Sequence, residues 1–343
     1  MRKLLYALTA TMLLASSWVF AAPELRPDHP EKYTVVKGDT LWDISARFLK
    51  NPWYWPEIWH DNPQIDNPHL IYPGDVLALV YIDGKPRVTK VAENAGPKGV
   101  VKLSPKVRST PIETPVPTIP LDAIQGFLTQ TRVVDEAILE DAPYVLEGRD
   151  GRIASGAGDR VYARGDVGNQ KVMSVYRRGE TYVDPETNEF LGLEARAIGK
   201  GNIAAVDGEV ITVDLTRTSE EVGQGDRLLH TENRSISTTF EPSAPDTKIE
   251  GRMISVLDGV SNIGQYDVVV INRGEREGLE EGNVLAVYKA GQVVRDPKTR
   301  ELVELPSERA GLLMVFRTFE KVSYGLVLQS TRPLSLMDKV RNP

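Results

Sequence analysis

The chain has 343 residues, long enough for two or three domains with cores of their own. Its 48 acids against 41 Lys and Arg give a formal charge of −7, without the basic footprint that nucleic acid requires, so no nucleic-acid partner is expected. Cysteine is absent, which excludes disulfides, thiol catalysis, Cys-ligated zinc and a lipid-modified N-terminal cysteine.

The opening stretch, MRKLLYALTATMLLASSWVFAAPEL, sets Arg2 and Lys3 before an apolar run from Leu4 to Phe20 and then small residues. This is the pattern of a secretory signal at residues 1–21, with cleavage expected after Ala21. Thr9, Thr11, Ser16 and Ser17 and the short run disfavour an uncleaved anchor. Loss of Arg2 and Lys3 would leave a net charge of −9. A soluble, acidic, periplasmic protein of a bacterial envelope is the expectation.

Residues 32–82 read as a compact module in the order strand, helix, helix, strand. After the β-type run YTVV, Thr40 is an N-cap with Asp43 three residues on, and Leu41, Ile44 and Phe48 share one helical face. Asn51 and Pro52, or Trp55 and Pro56, start a second helix that ends near Asn62 and Pro63; a second strand, VLALVYI, follows the turn DNPHLIYPGD. Trp42, Trp55 and Trp59 are expected to fill a small core, leaving Trp53 or Tyr54 as candidates for an exposed face. Residues 83–119 are rich in Pro, Lys and Arg and read as a semi-extended linker.

Beyond Pro120 the sequence repeats itself. VMSVYRRGETYVDPETNEFLGL, from Val172, returns as VLAVYKAGQVVRDPKTRELVEL, from Val284, and Asp226 and Asp338 keep the same spacing. Short alternating runs separated by Gly, Asn or Asp-Pro predict two related small barrel-like units, 120–235 and 236–343, with DPETNE and DPKTRE as hairpin loops and a helix near PLDAIQGFL. Asp184 and Asp296 are expected to form turns rather than make contacts.

Chemistry is hard to find. The four histidines, His29, His60, His69 and His230, show no HxH or HExxH spacing, and neither Ser-x-x-Lys nor Gly-x-Ser-x-Gly occurs. GRDGRIASGAGDR lacks dinucleotide spacing. No catalytic residue, metal or cofactor is expected.

The segment YTVVKGDTLWDISARFLKNPWYWPEIWHDNPQIDNPHLIYPGDVLAL closely resembles the LysM domain, on Tyr33, Gly38, Asp39, Thr40, Leu41, Ile44, Asn62, Asn67, Ile71, Pro73, Gly74 and Val76. The resemblance implies an α+β βααβ fold binding N-acetylglucosamine polymers such as peptidoglycan, ahead of a mainly-β C-terminal region. It places a shallow groove between Gly38, Asp39, Thr40 and Leu41 on one side and Asn67, Pro68, His69, Leu70 and Ile71 on the other. Loops with free backbone polar groups beside apolar walls suit acetamido sugars. The aromatic, proline-broken second helix departs from the simple family pattern.

The whole chain, with RGETYVDPETNE, GVSNIGQYDVVVINRG, GLEEGNVLAVY and ERAGLLMVFR, resembles the type IV pilus secretin-associated family, TsaP, whose C-terminal region is related to flagellar assembly protein T. That resemblance implies a non-catalytic adaptor holding the outer-membrane secretin PilQ to peptidoglycan, in multiple copies around a ring. Two alternatives keep the module: a wall-remodelling enzyme that it targets, and an adaptor for flagellar or other envelope machinery.

Overall fold

The computed structural model describes residues 23–59, 71–91, 116–231, 240–257, 263–289, 291 and 293–343. Their contacts divide the chain between Val116 and Pro117 into two compact units.

In the first unit, β1 (Lys32–Thr34) leads to α1 (Leu41–Phe48), a 3₁₀ turn (Pro52–Tyr54), α2 (Trp55–Trp59), β2 (Val76–Ile82) and β3 (Lys85–Lys90). The helix α1 starts where the sequence says it should. The Thr40 hydroxyl accepts from the Asp43 N–H at 3.1 Å while the Asp43 carboxylate accepts from the Thr40 N–H, satisfying two otherwise orphaned donors. Its apolar face, Leu41, Ile44 and Phe48, is fully buried with Trp55, Ile58, Trp59, Ile71 and Leu77. Ahead of β1, the Arg26 N–H bonds the Phe48 carbonyl and the Lys50 N–H bonds that of Glu24, both at 2.9 Å, which ties the entering chain to the end of α1.

Trp42, Trp55 and Trp59 are buried as expected, but Trp53, stacked on Tyr54 at 3.8 Å between ring centroids, is buried too and Tyr54 is half-buried, so neither presents the exposed face expected of one of them. The indole N–H groups of Trp53, Trp55 and Trp59 find no partner among the described residues. Burying one indole contributes about 4–6 kcal/mol. An unpaired N–H costs about 1–3 kcal/mol, so burial wins.

The linker expected over 83–119 is corrected at both ends. Asp83 and Gly84 adopt positive φ, 50° and 76°, the conformation of a tight hairpin turn, and β3 pairs antiparallel with β2, Val88 opposite Leu79. Val88 packs in the core, and so does Val116, whose N–H bonds the Ile71 carbonyl at 2.8 Å. Thr118 and Ile119 are buried in the second unit, where the Thr118 hydroxyl accepts from the Phe240 N–H.

The second unit opens with α3 (Leu121–Gln130), β4 (Thr131–Val134) and α4 (Glu136–Glu140), followed by β5 (Tyr144–Gly148), β6 (Ala154–Ser155), β7 (Arg160–Arg164), β8 (Val172–Val183), β9 (Phe190–Asp207), β10 (Val210–Thr218), β11 (Val222–Gly223) and β12 (Arg227–His230). The helix near PLDAIQGFL is therefore α3. Strand pairing runs β10, β7, β5, β12, β8, β9, with β4 added outside β9, and β10 also pairs with β9, so six strands follow one another in a cycle; β6 and β11 form a small ribbon. Val161 and Ala163, Met173 and Val175, and Ile211, Val213 and Leu215 alternate into its core.

Next come β13 (Glu250–Leu257), β14 (Val268–Ile271), β15 (Val284–Lys289), β16 (Val293–Arg295), β17 (Leu302–Glu304), β18 (Glu308–Thr318), β19 (Ser323–Ser330) and β20 (Lys339–Arg341). A closed barrel forms in the order β13, β14, β19, β18, β15, β20, and β16 and β17 pair as a separate hairpin. Val269, Ile271, Leu285, Val287, Leu313 and Val315 line the core. Their neighbours Val268, Val270, Val284, Ala286, Leu312, Met314 and Phe316 are buried too. Strands covered on both faces read as unbroken apolar runs, VVVI and GLLMVF, instead of alternating.

That double burial joins what the sequence reading separated, for 117–343 forms one compact unit. The tip of the β8–β9 hairpin is pinned to the barrel. Asp184 accepts from the Asn272 amide at 2.9 Å and the Arg273 guanidinium at 3.2 Å, so it makes contacts as well as its turn. Glu186 pairs with Arg252, Glu189 with Arg276 and Lys321, and Glu180 accepts from the Ser255 hydroxyl. Arg317 donates to the Phe127 carbonyl at 2.9 Å, holding α3 against the barrel.

Candidate functional site

Two turns of the same construction flank the mouth of the first unit. In Val36-Lys37-Gly38-Asp39 the Asp39 N–H bonds the Val36 carbonyl at 3.2 Å, and in Tyr72-Pro73-Gly74-Asp75 the Asp75 N–H bonds the Tyr72 carbonyl at 3.1 Å. Gly38 and Gly74 hold φ of 98° and 96°, which only glycine adopts cheaply at the third position of such turns. Each aspartate reaches back to its own turn: Asp39 accepts from the Val36 N–H at 2.9 Å and Asp75 from the Tyr72 N–H at 3.0 Å. The turns are stitched together, Val35 N–H to Asp75 carbonyl and Gly74 N–H to Val35 carbonyl, each at 2.8 Å.

The expected binding residues separate by role. Gly38 is exposed, with open space where a side chain would stand. Asp39 is half-buried and accepts from the Tyr33 hydroxyl at 2.8 Å. Burial first, and then that bond, raises the Tyr33 phenol above its ordinary range; the Arg47 guanidinium lies over its ring at 4.4 Å. Thr40 is buried as the cap of α1. Leu41 and Ile71 are fully buried, so their side chains support the groove from beneath and only their backbone can face a ligand. Asn67, Pro68, His69 and Leu70 lie outside the described residues.

Two neighbours went unnoticed in the sequence, Tyr72 and Asp75, the latter paired with Lys90 at 2.6 Å, and Tyr33 was named for the resemblance but not for the groove. The doubled pattern VKGD and YPGD was the available signal. With Asp39 already bonded by a hydroxyl and an amide, the described part of the site offers exposed turn backbone above buried apolar side chains. Among the described residues no three His, Asp or Glu side chains gather as a metal-holding group, and no helix is long and apolar enough to cross a membrane.

A βααβ core with two stitched glycine turns at its mouth is a small α+β module with an exposed loop face. Comparison with known proteins makes this specific: residues 33–79 match the LysM domain. LysM domains bind peptidoglycan and other N-acetylglucosamine glycans, and they are binding rather than catalytic modules. The uncharacterized protein YqbP of Bacillus subtilis (strain 168) is 38% identical to this chain over 60 residues, a stretch that is 15% of this chain and 27% of that protein. The chain therefore spans about a quarter of the length of that curated relative.

Proposed function

We propose that this protein is a periplasmic, non-catalytic adaptor exported by a cleaved signal peptide, in which the LysM module grips peptidoglycan and the β region docks around the outer-membrane type IV pilus secretin PilQ. The observation that carries it is the LysM match, joined to a β region several times the module's size. Gly38, Asp39 and Thr40 form one wall of the groove, backed by Leu41 and Ile71, and Asn67, Pro68, His69 and Leu70 supply the other. One shallow groove binds weakly, because a few sugars bury little area against the entropy of association. Several copies around a ring multiply the attachment.

The β region is, in this proposal, two related barrels fused into one unit. Three features support it. The cycle β5, β7, β10, β9, β8, β12 runs in the same order as β13, β14, β19, β18, β15, β20. Turn aspartates recur in both: Asp159 and Asp267, Asp184 and Asp296, Asp226 and Asp338 each accept from a backbone N–H two or three residues before or after. Asn188 and Arg300 also share the left-handed conformation, at φ of 57° and 67°.

Co-sedimentation with purified sacculi tests the adaptor. Deleting residues 32–82 should abolish pelleting and leave secretin capture intact; a truncated chain that still pellets with glycan overturns the division of labour. Clearing of a peptidoglycan zymogram by the purified protein would overturn its non-catalytic part.

A further inference from the structure

One Asp-Pro hairpin is seated and, among the described residues, the other has no such seat. The tip 184–189 is held by Arg252, Asn272, Arg273, Arg276 and Lys321, and Tyr182 and Leu191 on its strands are 2% and 4% exposed. The tip 296–301 folds through the same backbone bonds, Asp296 accepting from the Lys298 and Thr299 N–H groups at 2.7 and 3.0 Å. Its matching strand residues Val294 and Val303 are 36% and 44% exposed, with Val293, Leu302 and Leu305 exposed beside them.

The seat of the first hairpin is built from the start of β13 (Arg252), the end of β14 (Asn272 and Arg273) and the β18–β19 turn (Lys321). The matching places in the first cycle are the start of β5 (Tyr144), the end of β7 (Arg164) and the β9–β10 turn, with Asp207 and Glu209 exposed. Glu140 and Asp141 adjoin them, since Arg227, paired across to Tyr144, donates to the Glu140 and Ala142 carbonyls. Charge shifts on both sides. The seated tip is acidic, Asp184, Glu186 and Glu189, on a basic seat. The free tip keeps Asp296 and Glu301 but replaces Glu186 with Lys298 and Asn188 with Arg300, and the matching seat is rimmed by Glu140, Asp141 and Asp207, with Glu209 already paired with Arg164 at 2.7 Å.

We infer that the hairpin Val293–Glu304 docks on the β5–β7–β10 end of a second copy of this chain, so that copies join head to tail. The first hairpin reaches forward to the second barrel; repeating that step carries the second hairpin to a third barrel, which only another copy provides. Such a heterologous contact closes into a ring or runs on as a filament, according to its rotation. The inference rests on the duplication proposed above, and the seating of the first hairpin is tested apart from it by the melting of an Asp184 variant.

Sedimentation velocity on the full chain should show concentration-dependent association that weakens as salt rises to about 0.5 M. The double variant Lys298→Glu/Arg300→Glu should sediment as a monomer with unchanged melting temperature, as should Glu140→Lys/Asp141→Lys, and combining all four changes should restore association. Because the chain has no cysteine, Lys298→Cys combined with Asp141→Cys should give a ladder of oxidised species that neither single variant gives beyond a dimer. Wild type monomeric at every concentration, association indifferent to the tip charges, or no restoration in the combined variant would each overturn the inference. Sacculus pelleting by the same variants is scored separately, so a monomer that still pellets refutes the self-association and leaves the adaptor standing.

Discussion

The LysM module and the closed barrel solve the same problem with different materials. The module fills its core with Trp55, Trp59 and Phe48 and leaves three indole N–H groups unpaired. The barrel fills its inside mainly with Val, Leu and Ile at alternating positions on strands of up to 11 residues, and among its described residues the buried Ser323 hydroxyl is left unpaired. A small fold has few positions to spend on its core, so each must bring volume, and the polar atom comes with it. A barrel has many inward positions, and branched aliphatic side chains fill them without a polar handle. Stability is therefore concentrated in a few residues of the module and spread over many in the barrel.

The sharpest way to break this comparison is Trp55→Ala. The change should cost about 3–5 kcal/mol and unfold the module, while the β region keeps its own calorimetric transition. Trp59→Ala should do the same; retained module unfolding in either variant contradicts the concentrated core. In the barrel, Leu313→Ala should cost about 2–4 kcal/mol and lower the β transition without abolishing it. Asp184→Ala leaves the Asn272 amide and Arg273 guanidinium without their acceptor, at roughly 1–3 kcal/mol for each buried donor that finds no water. Asp296→Ala, on the free hairpin, should leave the melting curve unmoved, and equal losses from the two would undo the distinction between seated and free tips.

Acid should separate the two units as well. The Arg276 and Lys321 side chains hold the Glu189 carboxyl down at about 2. Burial pushes Asp184 up, but N–H bonds from Glu186 and Thr187, with Arg273 and Asn272, outweigh it and leave that carboxyl below the usual range. Folded-state values below the unfolded ones mean stability present above about pH 4.3 and lost as pH falls toward 2. In the module, burial raises Glu57, so protonation there favours the fold, against the lowered Asp28 beside Arg26. Melting between pH 5 and 2.5 should lower the β transition more than the module's. Smallest in stability is Asn67→Ala, expected to leave melting unchanged and weaken sacculus pelleting.

What could be read in advance followed local rules. The capping box at Thr40 and Asp43, the α1 face and the Asp-Pro hairpins are set by neighbours in sequence, and each stands where it was expected. The strand β3 was missed although Asp83-Gly84 between two runs is a hairpin signal, because the Pro and Lys content around it outweighed a two-residue cue. The proposed correspondence of Asp159 with Asp267 has a spacing different from that of the other pairs, so a fixed-offset comparison passes over it. Burial of both barrel faces depends on what covers VVVI and GLLMVF from outside, and no periodicity within those runs can report it. Of the candidate groove, the turn at Gly38 was legible; that Leu41 and Ile71 serve from below was not, since depth depends on the rest of the core.

The buried position of Val116 has a mechanical consequence. In the proposed tether, a pull on the main chain at Pro117 enters the module through Val116, which is held in the core and by its backbone bond to Ile71. The load falls first on one valine and one hydrogen bond, before any strand of the module feels it.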